Sequence, residues 1–425
     1  MDCVTNHLSV PAGGTSRRTP GQRFEAGPWL GAGLAVAAVG WGAQQFAPLL
    51  LLYQSELGLS TTVVQATFGV YVFGLIPGLL LGGPVSDRFG RRRVLVPTLV
   101  ASLFGTGLLI LGGAGAGWLV AGRLVAGAAS GAAFSSGAAW IKELSSAGAG
   151  PGANPGPRRL TVAMSIGFGL GPLVAGVLAQ RAPAPTVLPY LPHLVLAAVA
   201  IPLARRAPET RPARPSTRLP APSPAGARRS SAVLSRRFWT VVVPLAPWVF
   251  GSASIALAYL PGLVKVQLGD HALIFSAVVT MLTAAAGIVV QPLARRLDRP
   301  AGTRLLASAL AIVVAGLLVA VAASAWLSPA LVVLAALVLG AGYGCCQVCG
   351  LLEVQRLAPP RHLAGLTALY QAVSYLGFLA SFLLAAAGGL LPPSELLAVV
   401  AGLAGLTLVW TTWFASAGSF WKVRR

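Results

Sequence analysis

The sequence predicts an all-α polytopic membrane protein with 12 transmembrane helices. Of its 425 residues, 56% are hydrophobic and only 10% are charged, and the mean hydropathy is +0.77. A soluble domain cannot bury so much apolar surface. Apolar runs of roughly 20 residues recur along the chain, and this length suffices to cross a bilayer as a helix. We therefore interpret each run as a spanning helix.

The apolar runs form two sets of six. They occupy residues 28–52, 61–82, 94–113, 116–139, 159–181 and 186–204, and then 238–263, 272–292, 304–325, 328–351, 365–388 and 395–416. Between the sets, residues 205–237 are rich in Pro and Arg, which predicts a flexible cytoplasmic linker; a lipid-binding polybasic arm is the alternative. The predicted organisation is a disordered cytoplasmic tail (1–27), a six-helix bundle (28–204), the linker (205–237), a second bundle (238–416) and a cytoplasmic tail (417–425).

The net charge of +21 raises the question of a nucleic-acid partner. All Lys and Arg except Arg123, Arg181 and Lys265 fall on one side of the predicted spans. Basic loops of membrane proteins face the cytoplasm, so this distribution indicates topology rather than nucleic-acid binding. We expect a multi-pass protein of the cell membrane, in contact with the lipid bilayer and with both termini in the cytoplasm.

Five charges are concentrated in Gly82–Arg93, between two apolar runs. Charges are costly inside a bilayer, which predicts a short loop at the membrane surface. Its single acid, Asp87, can pair with an arginine or cap the next helix. A simple topology anchor is the plain alternative. The loop follows the order G-x-x-x-D-R-x-G-R-R, carried by Gly83, Asp87, Arg88, Gly90, Arg91 and Arg92.

This order resembles the loop between helices 2 and 3 of the major facilitator superfamily of secondary transporters. The resemblance implies two six-helix bundles related by pseudo-two-fold symmetry, alternating access, activity as a monomer, and a switching role for the loop. The segment Gln291–Arg299 repeats part of the motif, with Pro292 and Arg296 in the places of Pro84 and Arg88. Such a repeat is typical of two parallel halves.

Arg123 is the one charged residue that lies away from the ends of a predicted span. A charge near mid-membrane costs about 2.5–3.5 kcal/mol, which makes Arg123 a candidate functional residue. Snorkelling of its side chain to the interface is the alternative. The spacing of Arg123 and Gly127 also resembles the helix 4 signature of the superfamily, which related transporters use in proton transfer. The sequence departs from that signature at Ala126, where the signature has Gln.

Span 5 contains small residues at four-residue spacing around a proline, a pattern that allows close helix packing. The residues are Gly167, Gly171, Pro172 and Gly176. They resemble the helix 5 signature of drug:proton antiporters, although Ala175 replaces one of its glycines. The resemblance implies export, whereas helix packing alone explains the same residues.

The resemblance further implies that spans 1, 4, 7 and 10 line a central cavity. The candidate cavity residues are then Gln44, Gln45, Arg123, Trp248, Tyr343 and Gln347. Taken singly, Trp and Tyr are typical of membrane interfaces, and Gln of contacts between helices. No span has a central Asp or Glu, so the proton-coupling candidates are Arg123, Glu143 and Glu353.

The predicted function is secondary transport of a small molecule by alternating access, in the form of proton-coupled export. A uniporter or importer of a metabolite is the alternative, and a cavity with a cation and no acid favours anionic or neutral substrates. An intramembrane enzyme acting on lipid-linked substrates would need clustered acids or an activated nucleophile, which the sequence does not contain, so we expect no catalytic residue. We expect no cofactor and no metal.

Overall fold

The computed structural model describes residues 27–146, 155–210, 236–299, 303–358 and 363–420. Within these ranges it is all-helical and has twelve helices long and apolar enough to cross a membrane, which confirms the predicted fold class. The spans of the first half are α1 (Trp29–Glu56), α2 (Thr61–Phe89), α3 (Arg91–Ala114), α4 (Ala116–Ser146), α5 (Gly156–Arg181) and α6 (Leu188–Arg206). Those of the second half are α7 (Phe238–Leu263), α8 (Lys265–Leu297), α9 (Arg304–Ala325), α10 (Pro329–Leu357), α11 (Gly365–Ala387) and α12 (Pro393–Ala415).

Several spans contain short irregular turns. In α1, a 3₁₀ turn at Ala47–Leu49 follows Phe46, and a similar turn at Gly377–Leu379 interrupts α11. In α7, π-helical turns occupy Phe238–Val242 and Ile255–Tyr259. Irregular backbone is tolerated at membrane depth where other protein elements cover it. The turns at Ala47–Leu49, Ile255–Tyr259 and Gly377–Leu379 lie in buried parts of the chain, whereas the turn at Phe238–Val242 includes the exposed Trp239.

The two halves repeat the same packing pattern. In the first half α1 contacts α5, α2 contacts α4, α3 contacts α4, and α3 also contacts α6. In the second half α7 contacts α11, α8 contacts α10, α9 contacts α10, and α9 also contacts α12. The equivalent pairs are six helices apart, as two bundles related by pseudo-two-fold symmetry require. Between the halves, α2 packs against α11 and α5 packs against α8.

The predicted loop Gly82–Arg93 is largely helical, which corrects the expected boundary. The α2 helix continues to Phe89, and α3 begins at Arg91. Only Gly90 breaks the helix, with φ +109°, a conformation that favours glycine. The apolar run ends before the helix does because helical hydrogen bonding continues into the polar region beyond the bilayer. For the same reason α4 extends to Ser146 and α10 to Leu357.

The start of the predicted linker is ordered against the first half. Arg205 and Arg206 complete α6, and Ala207 is buried in the core of the first half. The next residue, Pro208, accepts a 3.0 Å hydrogen bond from the indole nitrogen of Trp140. Residues 211–235 of the linker, 1–26 of the first tail and 421–425 of the second lie outside the described residues.

Candidate substrate cavity

A cavity of about 1030 Å³ lies between the two halves. Residues of α1, α2, α4 and α5 line it from the first half, and residues of α7, α8, α10 and α11 line it from the second. The described parts of α3, α6, α9 and α12 contribute no lining residue. The cavity is therefore bounded by the same four helices of each repeat.

The cavity reaches from the middle of the protein to one of its ends. We call this end the loop face; it is the end of the bundle that contains Gly90, Ser146, Arg206, Leu297 and Leu357. The lining includes Phe68 and Arg123 in the middle and Asp87, Glu143 and Gly365 at the loop face. The carboxylate side chain of Asp87 is 59% exposed. The cavity is thus open towards the loop face.

The opposite end, here called the far face, is the end that contains Glu56, Ala114, Arg181 and Ala387. Hydrogen bonds join the two halves there. The Gln65 amide on α2 donates to the main-chain oxygen of Ala258 on α7 at 2.6 Å. The other such bonds run from Thr62 Oγ1 to Ala385 O (3.3 Å), from Leu273 N to Gln180 Oε1 (3.2 Å), and from Lys265 Nζ to Gln54 Oε1 (3.1 Å). These contacts close the far face.

Aromatic side chains from both halves meet where the cavity ends. Phe250 of α7 stacks on Tyr375 and Phe378 of α11, with ring centroids 4.3 and 5.0 Å apart. From the first half, Phe68 and Tyr71 of α2 direct their rings edge-on to Phe378 at 5.6 and 6.4 Å. All five residues line the cavity. They give its inner end a flat, apolar wall that continues from one half to the other.

Arg123 lies at this inner end and is only 1% exposed. Its guanidinium donates to Ala43 O and Phe68 O, both at 3.2 Å. The rings of Tyr71 and Phe46 lie 4.2 and 4.8 Å from the guanidinium carbon, within the range of cation–π attraction. The side chain therefore does not snorkel to a membrane interface. Its Nε has no hydrogen-bond partner among the described residues, and these residues bring no carboxylate to it.

The two acids predicted to share a proton with Arg123 lie elsewhere. Glu143 is at the loop face, where its carboxylate pairs with Arg91 at 2.9 Å. Glu353 pairs with Arg237 at 2.8 Å and with Arg356 at 3.0 Å. The structure thus does not bring Arg123, Glu143 and Glu353 together. Glu143 follows Arg123 on the same helix by about 30 Å at 1.5 Å per residue, a separation too large for direct proton transfer.

Four of the six predicted cavity residues line the cavity. They are Gln44, Arg123, Tyr343 and Gln347. Gln45 and Trp248 do not: Gln45 is fully buried and donates to Thr106 at 3.4 Å, and Trp248 donates to Thr407 of α12 at 3.2 Å. Successive residues of a helix point about 100° apart, so Gln44 and Gln45 cannot both face the same space.

The cavity also contains residues that were not among the predicted cavity candidates, namely Phe68, Tyr71, Phe250, Gln371, Tyr375 and Phe378. The Gln371 side chain accepts a 3.2 Å hydrogen bond from Gln347, so two amides lie side by side in the lining. The spacing of Gln371, Tyr375 and Phe378 is that of one helix face and could have indicated a shared site. What it could not indicate is which face of α11 points inward.

At the loop face, Arg91 organises the first half. It is 7% exposed, pairs with Asp87, and donates to Glu143 and to Ser86 Oγ, the latter at 2.6 Å. The predicted pairing of Asp87 with an arginine thus has Arg91 as its partner. The neighbouring Arg92 donates from its main chain to Glu209 at 3.2 Å.

The remaining residues of the predicted switch motif have different environments. Arg88 is exposed and lies over the ring of Phe89, 5.3 Å from its centroid. Gly83 lines the cavity, whereas Gly90 forms the turn beside Glu209. The described contacts of Asp87 and Arg91 lie within the first half. The switching role expected of this loop therefore stays a prediction.

The second half has a comparable charge cluster. Arg356 near the end of α10 pairs with Asp298, which follows α8, at 2.5 Å, and with Glu353 at 3.0 Å. Arg237 completes the cluster through Glu353. The sequence repeat pairs Asp87 with Arg295 and Gly90 with Asp298, so the two clusters lie at similar places in their halves but are not built from equivalent residues.

The glycines of span 5 occupy helix crossings. A Cβ on Gly171 would lie 3.0 Å from the Cα of Trp41 on α1, and one on Gly167 would lie 2.9 Å from the main-chain nitrogen of the same residue. Gly176 faces α8 of the other half, where a Cβ would lie 3.1 Å from Leu273 O. Pro172, between these positions, is buried. Close packing of α5 on α1 and α8 thus requires these small residues.

Comparison with known proteins decides the family. The family profile described as Major Facilitator Superfamily matches residues 30–382. The chain belongs to the major facilitator superfamily. As a member of it, the protein is a multi-pass membrane transporter and not an enzyme. A search of curated protein sequences finds no match.

Solved structures of major facilitator superfamily transporters share the fold at low sequence identity. A crystal structure of the peptide transporter POT in complex with sulfate superposes with a TM-score of 0.72 at 14% identity, covering 92% of this chain and 94% of that chain. A mutant of the nucleoside transporter NupG gives 0.67 at 12% identity, covering 91% and 99%. A D-xylose-proton symporter gives 0.66 at 17% identity, covering 91% and 96%. These likenesses concern the fold, and the antiporter branch predicted from α5 stays a prediction.

Proposed function

We propose that this member of the superfamily moves a small molecule by alternating access, and that the cavity between its halves is the substrate site. The single observation that carries this proposal is the unequal closure of the two ends. Hydrogen bonds such as Gln65 to Ala258 join the halves at the far face, while the cavity is open at the loop face. Such a conformation is one of the two between which an alternating-access transporter moves.

We assign the loop face to the cytoplasm, as the predicted topology requires. Arg91, Arg92 and Arg93 lie at this face, and basic segments of membrane proteins remain on the cytoplasmic side. The conformation is then inward-open, and both termini are cytoplasmic.

The proposed substrate is a neutral or anionic molecule with a planar apolar part. The stacked rings of Phe250, Tyr375 and Phe378 supply a flat apolar wall, and the amides of Gln347 and Gln371 supply donors and acceptors beside it. Arg123 adds a positive charge at the inner end. An organic cation normally requires a carboxylate, and the acids that line the cavity, Asp87 and Glu143, lie at its mouth and pair with Arg91.

Proton-coupled export remains our leading form of the function, with uniport or import of a metabolite as the alternative. Glu143 supports coupling because it is a titratable group that lines the open cavity. The ion pair between Glu143 and Arg91 could be broken during transport, since a substrate or proton at the mouth would compete with Arg91 for the Glu143 carboxylate.

The test is transport by the purified full-length protein in liposomes, with aromatic carboxylates, aromatic amines and neutral aromatic compounds presented in parallel. We expect uptake of carboxylates or neutral compounds over amines, and stimulation by a pH gradient if transport is proton-coupled. Preferential uptake of amines would contradict the proposed substrate class. If neither the pH gradient nor a protonophore affects transport, the result would contradict proton coupling and support uniport.

A further inference from the structure

A second groove, of about 400 Å³, lies on the first half where α3 begins and α6 ends. It is lined by Arg92, Arg93 and Arg205 together with Val96 and Pro97. None of these residues lines the cavity between the halves. The groove is therefore separate from the substrate cavity, although Arg92 also belongs to the predicted switch motif.

The groove concentrates positive charge with free hydrogen-bond donors. Arg93 and Arg205 are exposed, and neither side chain has a hydrogen bond or ion pair with another residue in the described part of the chain. Arg92 is held in place, since its guanidinium donates to Arg205 O at 3.1 Å. The neighbouring acid, Glu209, accepts from the main-chain nitrogen of Arg92 and does not line the groove. Three guanidinium groups thus face one space that no described acid lines.

An exposed apolar stripe continues from this groove along both helices. On α3 it begins beyond the buried Val96 and includes Val100 and Phe104, and on α6 it includes Leu203, Val199 and Val195. Positions four residues apart share one helix face, so each set forms a continuous row. The two helices contact each other, and the groove lies between them; we call the groove together with the exposed rows of the two helices the seam. The seam is charged at the loop face and apolar towards the middle of the membrane.

We propose that this seam binds an anionic phospholipid. Arg93 and Arg205 hold the phosphate, Arg92 supports them from a fixed position, and an acyl chain lies between Val100 and Val199. Arginine suits this role because its planar guanidinium binds phosphate through two parallel hydrogen bonds. Basic pockets between membrane helices on the cytoplasmic side recognise lipid headgroups in this way.

The shape of the seam favours a lipid over a soluble phosphate. A free anion would contact only the three arginines, whereas a phospholipid also covers the exposed apolar rows. A zwitterionic headgroup would neutralise less of the charge, since its own cation would face the same guanidinium groups. The bound lipid would connect the start of α3 to the end of α6, next to the Arg91 charge cluster.

The experiment is native mass spectrometry of the purified full-length protein, offered phosphatidylglycerol and phosphatidylcholine in equal amounts. We expect retention of phosphatidylglycerol, and loss of roughly tenfold in that retention for the double variant Arg93→Gln, Arg205→Gln, because each surface arginine contributes to the attraction. The matched control is Arg295→Gln, Arg296→Gln, which removes the same charge from exposed positions at the end of α8 that do not line this groove. The control should retain phosphatidylglycerol as the unmodified protein does.

Three results would overturn the proposal. An equal loss in both double variants would show that surface charge alone attracts the lipid. Unchanged retention in Arg93→Gln, Arg205→Gln would show that the seam holds none. Displacement of the lipid by inorganic phosphate at an equal concentration would assign the arginines to a soluble anion instead. Thermal unfolding of both variants in phosphatidylcholine alone checks that each is folded.

Discussion

Gln65 and Ala258 join the two halves of the protein through a 2.6 Å hydrogen bond from the Gln65 amide nitrogen to the Ala258 carbonyl oxygen. The side chain of Gln65 is buried, with 2% exposure, and its carbonyl oxygen has no partner among the described residues. The bond lies between α2 and α7, which belong to different repeats. Any motion that opens the far face must break it.

Replacement of Gln65 with Leu should shift the protein towards opening at the far face. The change removes one buried hydrogen bond worth about 1 kcal/mol, which corresponds to a roughly fivefold shift between two conformations. Maleimide labelling of an Ala253→Cys variant from the far side measures this shift, since Ala253 lines the cavity and is nearly buried. The control is Gln267→Leu, which makes the same change at an exposed position near the start of α8 at the far face. Equal labelling in both variants would mean that Gln65 does not restrain the far face.

Replacement of Asp87 with Asn should lower the rate of transport while leaving membrane insertion unchanged. Asp87 pairs with the buried Arg91 and lines the cavity mouth together with Gly365, near the start of α11. When the mouth closes, the carboxylate can approach the positive N-terminal end of that helix. Because Asp87 is exposed in the present conformation, we expect about a fivefold loss in turnover. Asp270→Asn, at an exposed position of the far face, is the control. If Asp87→Asn transports at the wild-type rate, Asp87 has no role in the transport cycle and the motif serves only as a topology anchor.

Replacement of Phe250 with Ala should raise the substrate concentration needed for half-maximal transport. Phe250 stacks on Tyr375 and Phe378, and its loss opens the flat wall of the cavity. Aromatic contacts of this kind contribute about 0.5–1.5 kcal/mol each, so we expect a roughly tenfold rise in KM for an aromatic substrate. Phe104→Ala makes the same change at an exposed position on α3 outside the cavity. An unchanged KM in Phe250→Ala would show that the aromatic wall does not contact the substrate.

Replacement of Gly167 with Ala should destabilise the protein, and the same change at Gly169 should not. A Cβ on Gly167 would contact the main chain of α1, whereas one on Gly169 would have no atom within 4 Å. Overpacking of this kind costs about 1–3 kcal/mol, which lowers the midpoint of thermal unfolding in detergent. If Gly167→Ala unfolds at the wild-type temperature but loses transport, the α5 motif acts in the transport cycle and not in packing.

The number and order of the spans could be predicted from sequence because each span is a long apolar run. The positions at which the helices end at the loop face could not be predicted from sequence. The motif Gly82–Arg93 has too many charges to lie in the bilayer, yet it continues α2 to Phe89 and leaves a single residue, Gly90, as the turn. Hydropathy reports which residues contact lipid, and it does not report where helical hydrogen bonding stops.

The candidate site was predicted less completely because its lining depends on which face of each helix points at the cavity. Arg123 could be recognised as the charged residue within an apolar span, and its burial under Phe46 and Tyr71 follows from the fold. The separation of Gln44 from Gln45 requires knowing which face of α1 points at the cavity. Aromatic residues such as Phe250 and Phe378 gave no signal of their own, since apolar side chains are common on every face of a membrane helix.

Arg123 is proposed to supply the positive charge of a cavity that carries neutral or anionic molecules. Its guanidinium is fixed by Ala43 O and Phe68 O, so both the charge and the planar geometry contribute. Arg123→Lys keeps the charge but loses the fork of donors and should keep partial transport if charge is the main contribution. Arg123→Ala should nearly abolish transport in a protein that still inserts and folds, which thermal unfolding checks.

The most direct measurement is uptake of one aromatic carboxylate and its neutral amide analogue by liposomes containing wild-type, Arg123→Lys or Arg123→Ala protein. We predict that uptake of the carboxylate is nearly lost in Arg123→Ala and partly kept in Arg123→Lys, with a smaller effect on the amide. Equal uptake of the carboxylate by the wild-type and Arg123→Ala proteins would show that the charge of Arg123 does not contribute to transport.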